Sequence, residues 1–275
     1  MKIKLAGGWY WHVLLVGALV IQLWPLLFMF STSFKTMDQI FLSSLNPIPS
    51  QPVLDNYIYV LKNLPLMQYT ANTFVIAGSI TVAKLVTSIL AGFAFVYYDF
   101  PHKEKLFNAL LLTFFIPITV IMLPNYLLMA KVGAMNTAWG VILPQLADGM
   151  GVFLMRQTMR NIPRPLLEAA QLENAGAHTI LWRIVLPLIK PSAIAMGIVF
   201  FINAWNDYFW PMLILGDKNA YTLPLALQMF ISAEGGSEWG VAMAVAALTS
   251  LPPLLLYLVC QRFIINTFMQ SGVKG

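Results

Sequence analysis

The sequence predicts an all-α polytopic membrane protein with about six transmembrane helices, and three observations carry that prediction. The 275 residues are 59% hydrophobic and only 10% charged, against roughly 25% charged and 45–50% apolar in soluble chains. Long apolar runs of about 20 residues or more, the length that crosses a bilayer core, recur about six times. The 16 Lys and Arg residues are also unevenly distributed along the chain. Six spans use roughly 120 residues and leave room for loops, but not for a second soluble domain of about 100–150 residues. A fused ATPase or a large extramembrane catalytic domain is thereby excluded.

The candidate spans are 11–33, 70–97, 106–130, 138–159, 191–215 and 240–262. The first follows Lys2 and Lys4 and is too long for a signal-peptide core of about 7–15 residues. It reads as an uncleaved anchor, with Trp9, Tyr10 and Trp11 at the interface and the N-terminus in the cytoplasm. Segment 34–69 holds Pro47, Pro49, Pro52 and Pro65 and suits an irregular loop on the far side. Pro117, Pro124 and Pro144 fall inside spans and can kink them.

Charge supports this topology. Lys2, Lys4, Lys103, Lys105, Arg156, Arg160, Arg164, Arg183, Lys190, Arg262 and Lys274 fall on the inside, eleven in all, against Lys35, Lys62, Lys131 and Lys218 outside. Eleven against four is the positive-inside bias, so the basic pI near 9.3 records orientation and is no evidence for nucleic acid. The sixteenth cation, Lys84, is intramembrane. Asp148 in span four lies at a similar depth, and an ion pair between them is the expected arrangement, with a substrate phosphate or sulfonate contact by Lys84 as the sharper alternative. Single Cys260 forms no internal disulfide, and His12, His102 and His178 lack metal-ligand spacing. No GxxxxGK[ST] phosphate loop is present.

Residues 161–191, NIPRPLLEAAQLENAGAHTILWRIVLPLIKP, differ from every other loop. Pro165 suits a helix's first turn, Glu168 its positive end, and Leu166, Leu167, Ala169, Ala170 and Leu172 are good helix formers. Asn174 and Gly176 tolerate positive φ and let the chain turn. Ile180, Leu181, Ile184 and Val185 space a second short helix that ends near Leu186–Pro187. Two short basic helices facing the cytoplasm form either a docking element or a hairpin lying on the bundle or the lipid surface.

EAAQLENAG (168–176), followed by Ile184, Leu186 and Pro187, resembles the EAA loop of permease subunits in binding-protein-dependent ABC importers. The likeness covers about residues 70–265, with Asn174 where the family has glycine six residues after the Glu; asparagine is the next most permissive residue for αL. The resemblance implies a type I ABC importer permease fold with an anchor helix and extracytoplasmic loop (1–69), a permease core (70–265) with coupling loop 161–190, and a cytoplasmic tail (266–275). It further implies that Glu168, Ala169, Ala170, Asn174, Gly176, Leu186 and Pro187 couple to a separate ATPase, with Glu168 facing a basic group there. The implied partners are a homologous permease, two ATPase subunits that bind ATP and Mg, and an extracytoplasmic solute-binding protein. The chain itself needs no cofactor or metal. The location is the inner membrane of a bacterium or archaeon, with both termini cytoplasmic.

FFINAWNDYFWPMLILGD (200–217) sets Asn203, Asn206 and Asp207 among Trp205, Tyr208 and Trp210. Rings that stack on a sugar face, with amides and carboxylate for its hydroxyls, are equipment for a polyol; Trp and Tyr also gather at membrane interfaces whatever the function. Asn206 lies roughly 22 Å along a helix begun at 191. The pattern WND-x-x-WP (205–211) and the stretch 235–263 are similar to the carbohydrate subfamily, nearest the second permease of maltose/oligosaccharide and glycerol-3-phosphate importers. By that likeness segment 218–238, with Asn219, Tyr221, Glu234 and Glu238, touches the binding protein; otherwise it is a solvated connector. The competing function class is an ion-gradient-driven carrier using Lys84, Asp148 and Asp207. A membrane-embedded enzyme lacks a nucleophile–base pair or metal constellation.

Overall fold

The computed structural model describes residues 9–42, 46–233 and 238–272, and the elements there are helical. Helix α1 (Trp9–Ser33) is uncharged and about 37 Å long at 1.5 Å per residue, enough to cross a bilayer. The segment expected to be irregular contains two short helices, α2 (Met37–Leu42) and α3 (Asp55–Asn63). Its prolines lie between them and just after α3, so they bound helices rather than prevent them. Helix α4 (Leu66–Tyr97) is the second span, and Thr73, Thr81 and Thr87 return their hydroxyls to its own carbonyls four residues back.

The third and fourth expected spans are each broken. Residues 106–130 fall on α5 (Lys103–Leu112) with a 3₁₀ turn to Phe115, and on α6 (Ile118–Lys131), bent by 99°. Ile116 is extended (ψ 114°) because Pro117 forbids the helical conformation to the residue before it, and Pro117 follows at ψ 136°. Pro124 stays within α6. Residues 138–159 fall on α7 (Ala138–Ile142), a 3₁₀ turn Leu143–Gln145 and α8 (Gly149–Arg160), bent by 46°. Asp148, expected mid-span, instead caps α8: its carboxylate accepts from Gly151 N–H at 2.9 Å.

Then follow α9 (Arg164–Leu172), α10 (Ala177–Ile180), a π turn over Leu181–Val185 and α11 (Leu186–Asn206). The second loop helix does not end at Leu186–Pro187 as expected; Ala177–Asn206 is one 30-residue helix. Proline removes a hydrogen bond to the carbonyl four residues back and crowds it. The carbonyl concerned, that of Arg183, lies in the π turn, where the wider spiral accommodates the ring. Span five therefore begins earlier than residue 191 and breaks at Asp207–Tyr208 before α12 (Phe209–Ile214). Helix α13 (Leu223–Ala233) occupies much of the expected 218–238 connector, and α14 (Trp239–Gly272) extends the sixth span into the expected tail. Among the described residues four helices are long and apolar enough to cross a membrane, or up to six when each bent pair counts as one.

The described chain forms two compact units. Residues 1–66 with 227–251 make one, centred on Val60, Val241, Ala244 and Val245; there Asn56 donates to the carbonyls of Ser33 (2.9 Å) and Lys35 (3.0 Å) and so fastens the end of α1 to α3. Residues 67–226 with 252–275 make the other, whose core joins Phe93 of α4, Met155 and Met159 of α8, Ala170 of α9, Ile180, Val185, and Ile189, Met196 and Phe200 of α11. In this unit Gly140 of α7 lies against the Ala134 carbonyl, and a Cβ there would also stand 2.8 Å from Ile214 Cγ2. A backbone carbonyl cannot step aside, so Gly140→Ala is expected to cost about 1–3 kcal/mol. A lowered unfolding midpoint of the purified protein in detergent is the readout; an unchanged midpoint contradicts the packing.

Candidate functional site

The loop between α8 and α11 is a helix–turn–helix closed by a Schellman motif. Asn174 stands at φ 59°, its N–H donates to Gln171 O at 2.9 Å, and Ala175 N–H donates to Ala170 O at 3.0 Å. Asparagine thus does the work of the family's glycine. Gly176, by contrast, sits at φ −67°, ψ 159° as the cap of α10, and a Cβ there would meet nothing, so no positive φ is needed.

Two faces of α9 have separate surroundings. Leu167 and Ala170 pack into the core shared by α4, α8 and α11. On the far face Leu166 (43% exposed), Ala169 and Leu172 (86% exposed) stand in solvent at three-residue spacing. A short helix that hides one apolar face and shows another has a seat on one side and none on the other. Glu168 is exposed and, among the described residues, makes no hydrogen bond or ion pair. Leu186 and Pro187 lie at the start of α11, directly after the π turn.

Glu168 also lines a cavity of about 450 Å³ beside α9, with Lys103, Glu104, Arg156, Arg160 and Arg164 as its other charged walls. Arg156, whose side chain is 8% exposed, donates from Nη2 to Glu104 Oε1 at 2.7 Å and lays its guanidinium 3.9 Å over the Phe107 ring.

A second polar cluster forms where two helices break. Lys84 Nζ of α4 lies 3.4 Å from Asp148 Oδ2 and 5.5 Å over the Phe200 ring. Asp207, at the break after α11, lies near Gln145 and Lys84, and its carboxylate meets Trp210 N–H at 3.4 Å. The expected Lys84–Asp148 pair is present, with Asp207 as a second carboxylate that sequence depth alone did not bring to it. The signal that could have found it is shared by both acids: each follows an apolar stretch and precedes a new helix start, as a capping residue does.

The aromatic and amide cluster of span five divides. Trp205 is fully buried against Phe74 and Phe201, and Trp210 is buried as well, so both rings serve the core. Asn203, Asn206 and Tyr208 remain exposed. In the following segment, Asn219 and Tyr221 are fixed to α4 through their carbonyls, which accept from Gln68 and Asn72 at 2.8–3.1 Å. Tyr221 also faces the Tyr69 ring at 6.4 Å. Glu238 is half-buried before α14, and Glu234 lies outside the described residues. Among the described residues no group of three or more His, Cys, Asp or Glu side chains is placed to hold a metal ion.

Comparison with known proteins bears on this arrangement directly. Residues 49–268 match the family model of the binding-protein-dependent transport system inner membrane component. The chain is 32% identical over 267 residues to the sn-glycerol-3-phosphate transport system permease protein UgpE of Yersinia pestis, covering 94% of this chain and 95% of the relative. The same protein of Brucella melitensis is 29% identical over 268 residues, with the same coverage. In fold it is similar to a chain of a bacterial ABC transporter involved in the import of the acidic polysaccharide alginate, with a TM-score of 0.83 at 21% identity over 95% of this chain and 99% of that one. A second such structure, in complex with an alginate pentasaccharide-bound periplasmic protein, gives 0.65 at 15% identity over 92% and 93%. A matched span of four-fifths of its length, with the helix–turn–helix loop in place, makes this chain a member of the binding-protein-dependent transport system inner membrane component family, a membrane permease of ABC importers.

Proposed function

We propose that this permease translocates a carbohydrate-type substrate, a sugar, oligosaccharide or glycerol phosphate, and that α9 is the helix through which a separate ATPase drives it. The observation that carries the reading is the double-sided α9: Leu167 and Ala170 are packed into the core that holds α4, α8 and α11, while Leu166, Ala169 and Leu172 stand free for a partner. A push on the free face reaches three membrane helices at once. The substrate class is supported by the glycerol-3-phosphate permeases and alginate transporter to which the chain is similar.

In this reading both termini and α9 face the cytoplasm. The assembly holds a homologous permease, two ATPase subunits that bind ATP and Mg, and an extracytoplasmic binding protein; the chain has no ATPase site of its own. Asn203, Asn206 and Tyr208 form this subunit's part of the pathway, with Lys84, Asp148 and Asp207 as its charged support. Residues 218–238 meet the binding protein. Membership of an ATP-driven importer family removes the motive for reading the same three charges as an ion-coupling site.

The test is Leu172→Asp. An exposed position costs the chain less than about 0.5 kcal/mol. An uncompensated carboxylate in an apolar cleft costs about 2 kcal/mol or more, roughly a thirtyfold loss in affinity. Co-purification of the ATPase is expected to fail while the variant reaches the membrane at the normal level. Full recovery of the ATPase with Leu172→Asp would refute docking through α9.

A further inference from the structure

The cavity beside α9 holds more positive charge than docking uses. Its charged walls are four cations, Lys103, Arg156, Arg160 and Arg164, against two carboxylates, Glu104 and Glu168. Glu104 is taken by Arg156, and Lys103 lies 3.4 Å from Asp99. Among the described residues Arg160 and Arg164 have no ion-pair partner, so the unpaired charges are two cations against Glu168. Arg164 occupies the first position of α9, where the helix dipole is already positive, so it does not serve the helix. Arg156 is more than nine-tenths buried and its Nε has no hydrogen-bond partner. A buried charged donor without an acceptor is costly, and such a group in a native site points to a partner still to come.

We propose that this cavity binds the phosphate group of an anionic ligand, either a phospholipid headgroup or a free phosphate. Arginines present forked donors that match phosphate oxygens. The volume of about 450 Å³ is that of a small-molecule site. Phe95 and Tyr97, in the last turn of the α4 span, bring the cavity to the level where headgroups lie. Arg164, Leu167 and Gln171 line it from the face of α9 opposite Leu166 and Ala169, so the ligand and the apolar docking face stand on different sides of the helix, with Glu168 within reach of both. Occupancy steadies the junction of α5, α8 and α9 from which the docking helix is hung. The site lies on the cytoplasmic side by the topology proposed above, and only that placement rests on it.

The experiment uses the full-length chain with its co-purifying subunits in phosphatidylcholine nanodiscs. One arm adds a photoreactive phosphatidylglycerol, and the other adds radiolabelled inorganic phosphate at constant ionic strength. Saturable labelling of segments 95–104 or 156–171 by the lipid, not competed by phosphate, identifies the headgroup. Saturable phosphate binding that also displaces the lipid identifies the free ion. In either case Arg160→Gln/Arg164→Gln weakens binding at least about tenfold, whereas Lys105→Gln, outside the cavity, leaves it unchanged. No saturable binding of either probe to the wild type, or equal binding by the double variant in a monodisperse preparation, overturns the proposal. An assembly that retains its ATPase but binds neither probe refutes this site and leaves the coupling reading intact; loss of the ATPase from the wild type does the reverse.

Discussion

Glu168→Lys separates ATP hydrolysis from uptake. Glu168 is exposed and unpaired among the described residues, so the variant is expected to insert and accumulate normally. The reversed charge is placed among Arg156, Arg160 and Arg164 and removes the acid that would meet a basic group of the ATPase. Two effects combine, repulsion within the cavity and loss of a charge-assisted contact of about 1.5–3 kcal/mol, so uptake of the substrate carried by the binding protein should fall by about tenfold to a hundredfold. Hydrolysis by the assembled ATPase should persist but cease to respond to substrate-loaded binding protein. Wild-type uptake by this variant would end the assignment of α9 as the coupling helix.

Lys84→Met should cost roughly 2–3 kcal/mol, short of the roughly 3–5 kcal/mol of a fully buried pair because the side chains of Lys84 and Asp148 keep 16% and 26% exposure. Two carboxylates, Asp148 and Asp207, then lose one cation. Adding Asp148→Asn removes one orphaned charge and keeps the α8 cap, since an asparagine side chain also accepts from the Gly151 N–H. The double variant is expected to regain most of the stability and transport, falling short by what Asp207 still lacks. A double variant that is stable but as inactive as Lys84→Met would make Lys84 a substrate ligand instead, measured by thermal unfolding and uptake on the same preparations.

Length, composition and charge asymmetry sufficed for the all-α membrane class and for the places where spans occur, because hydrocarbon thickness imposes a length that any apolar run must meet. The α9 loop was legible for another reason: its residues meet local constraints of turn and helix end, and Asn174 at φ 59° satisfies the turn. The breaks at 116–117, 146–148 and 207–208 were not legible, because apolar residues such as Ile116 and Leu146 carry hydropathy through them unchanged. Only Pro117 and the capping acids marked the sites. Trp205 and Tyr208 were equally plausible substrate rings by composition; which is buried depends on Phe74 and Phe201, and no local pattern reports that packing. Helix continuity past Pro187 was hidden likewise, since proline ordinarily ends a helix and nothing in Leu181–Val185 announces a widened turn.

That widened turn has a mechanical consequence. Because it takes up Pro187, the chain from Ala177 to Asn206 is one continuous helix of 30 residues, about 45 Å long, with Pro191 near its middle. A free hinge at its middle would dissipate motion; a continuous helix held there by Ile189 and Met196 in the core transmits it. If the end at Ala177 is displaced by about 4 Å, the helix, with its fulcrum at mid-length, tilts by roughly 10°, and Asn203 and Asn206 swing the opposite way by a similar distance. A compression delivered at the loop then becomes an opening stroke at the far end, with an arm ratio set by where Ile189 and Met196 are gripped by the core.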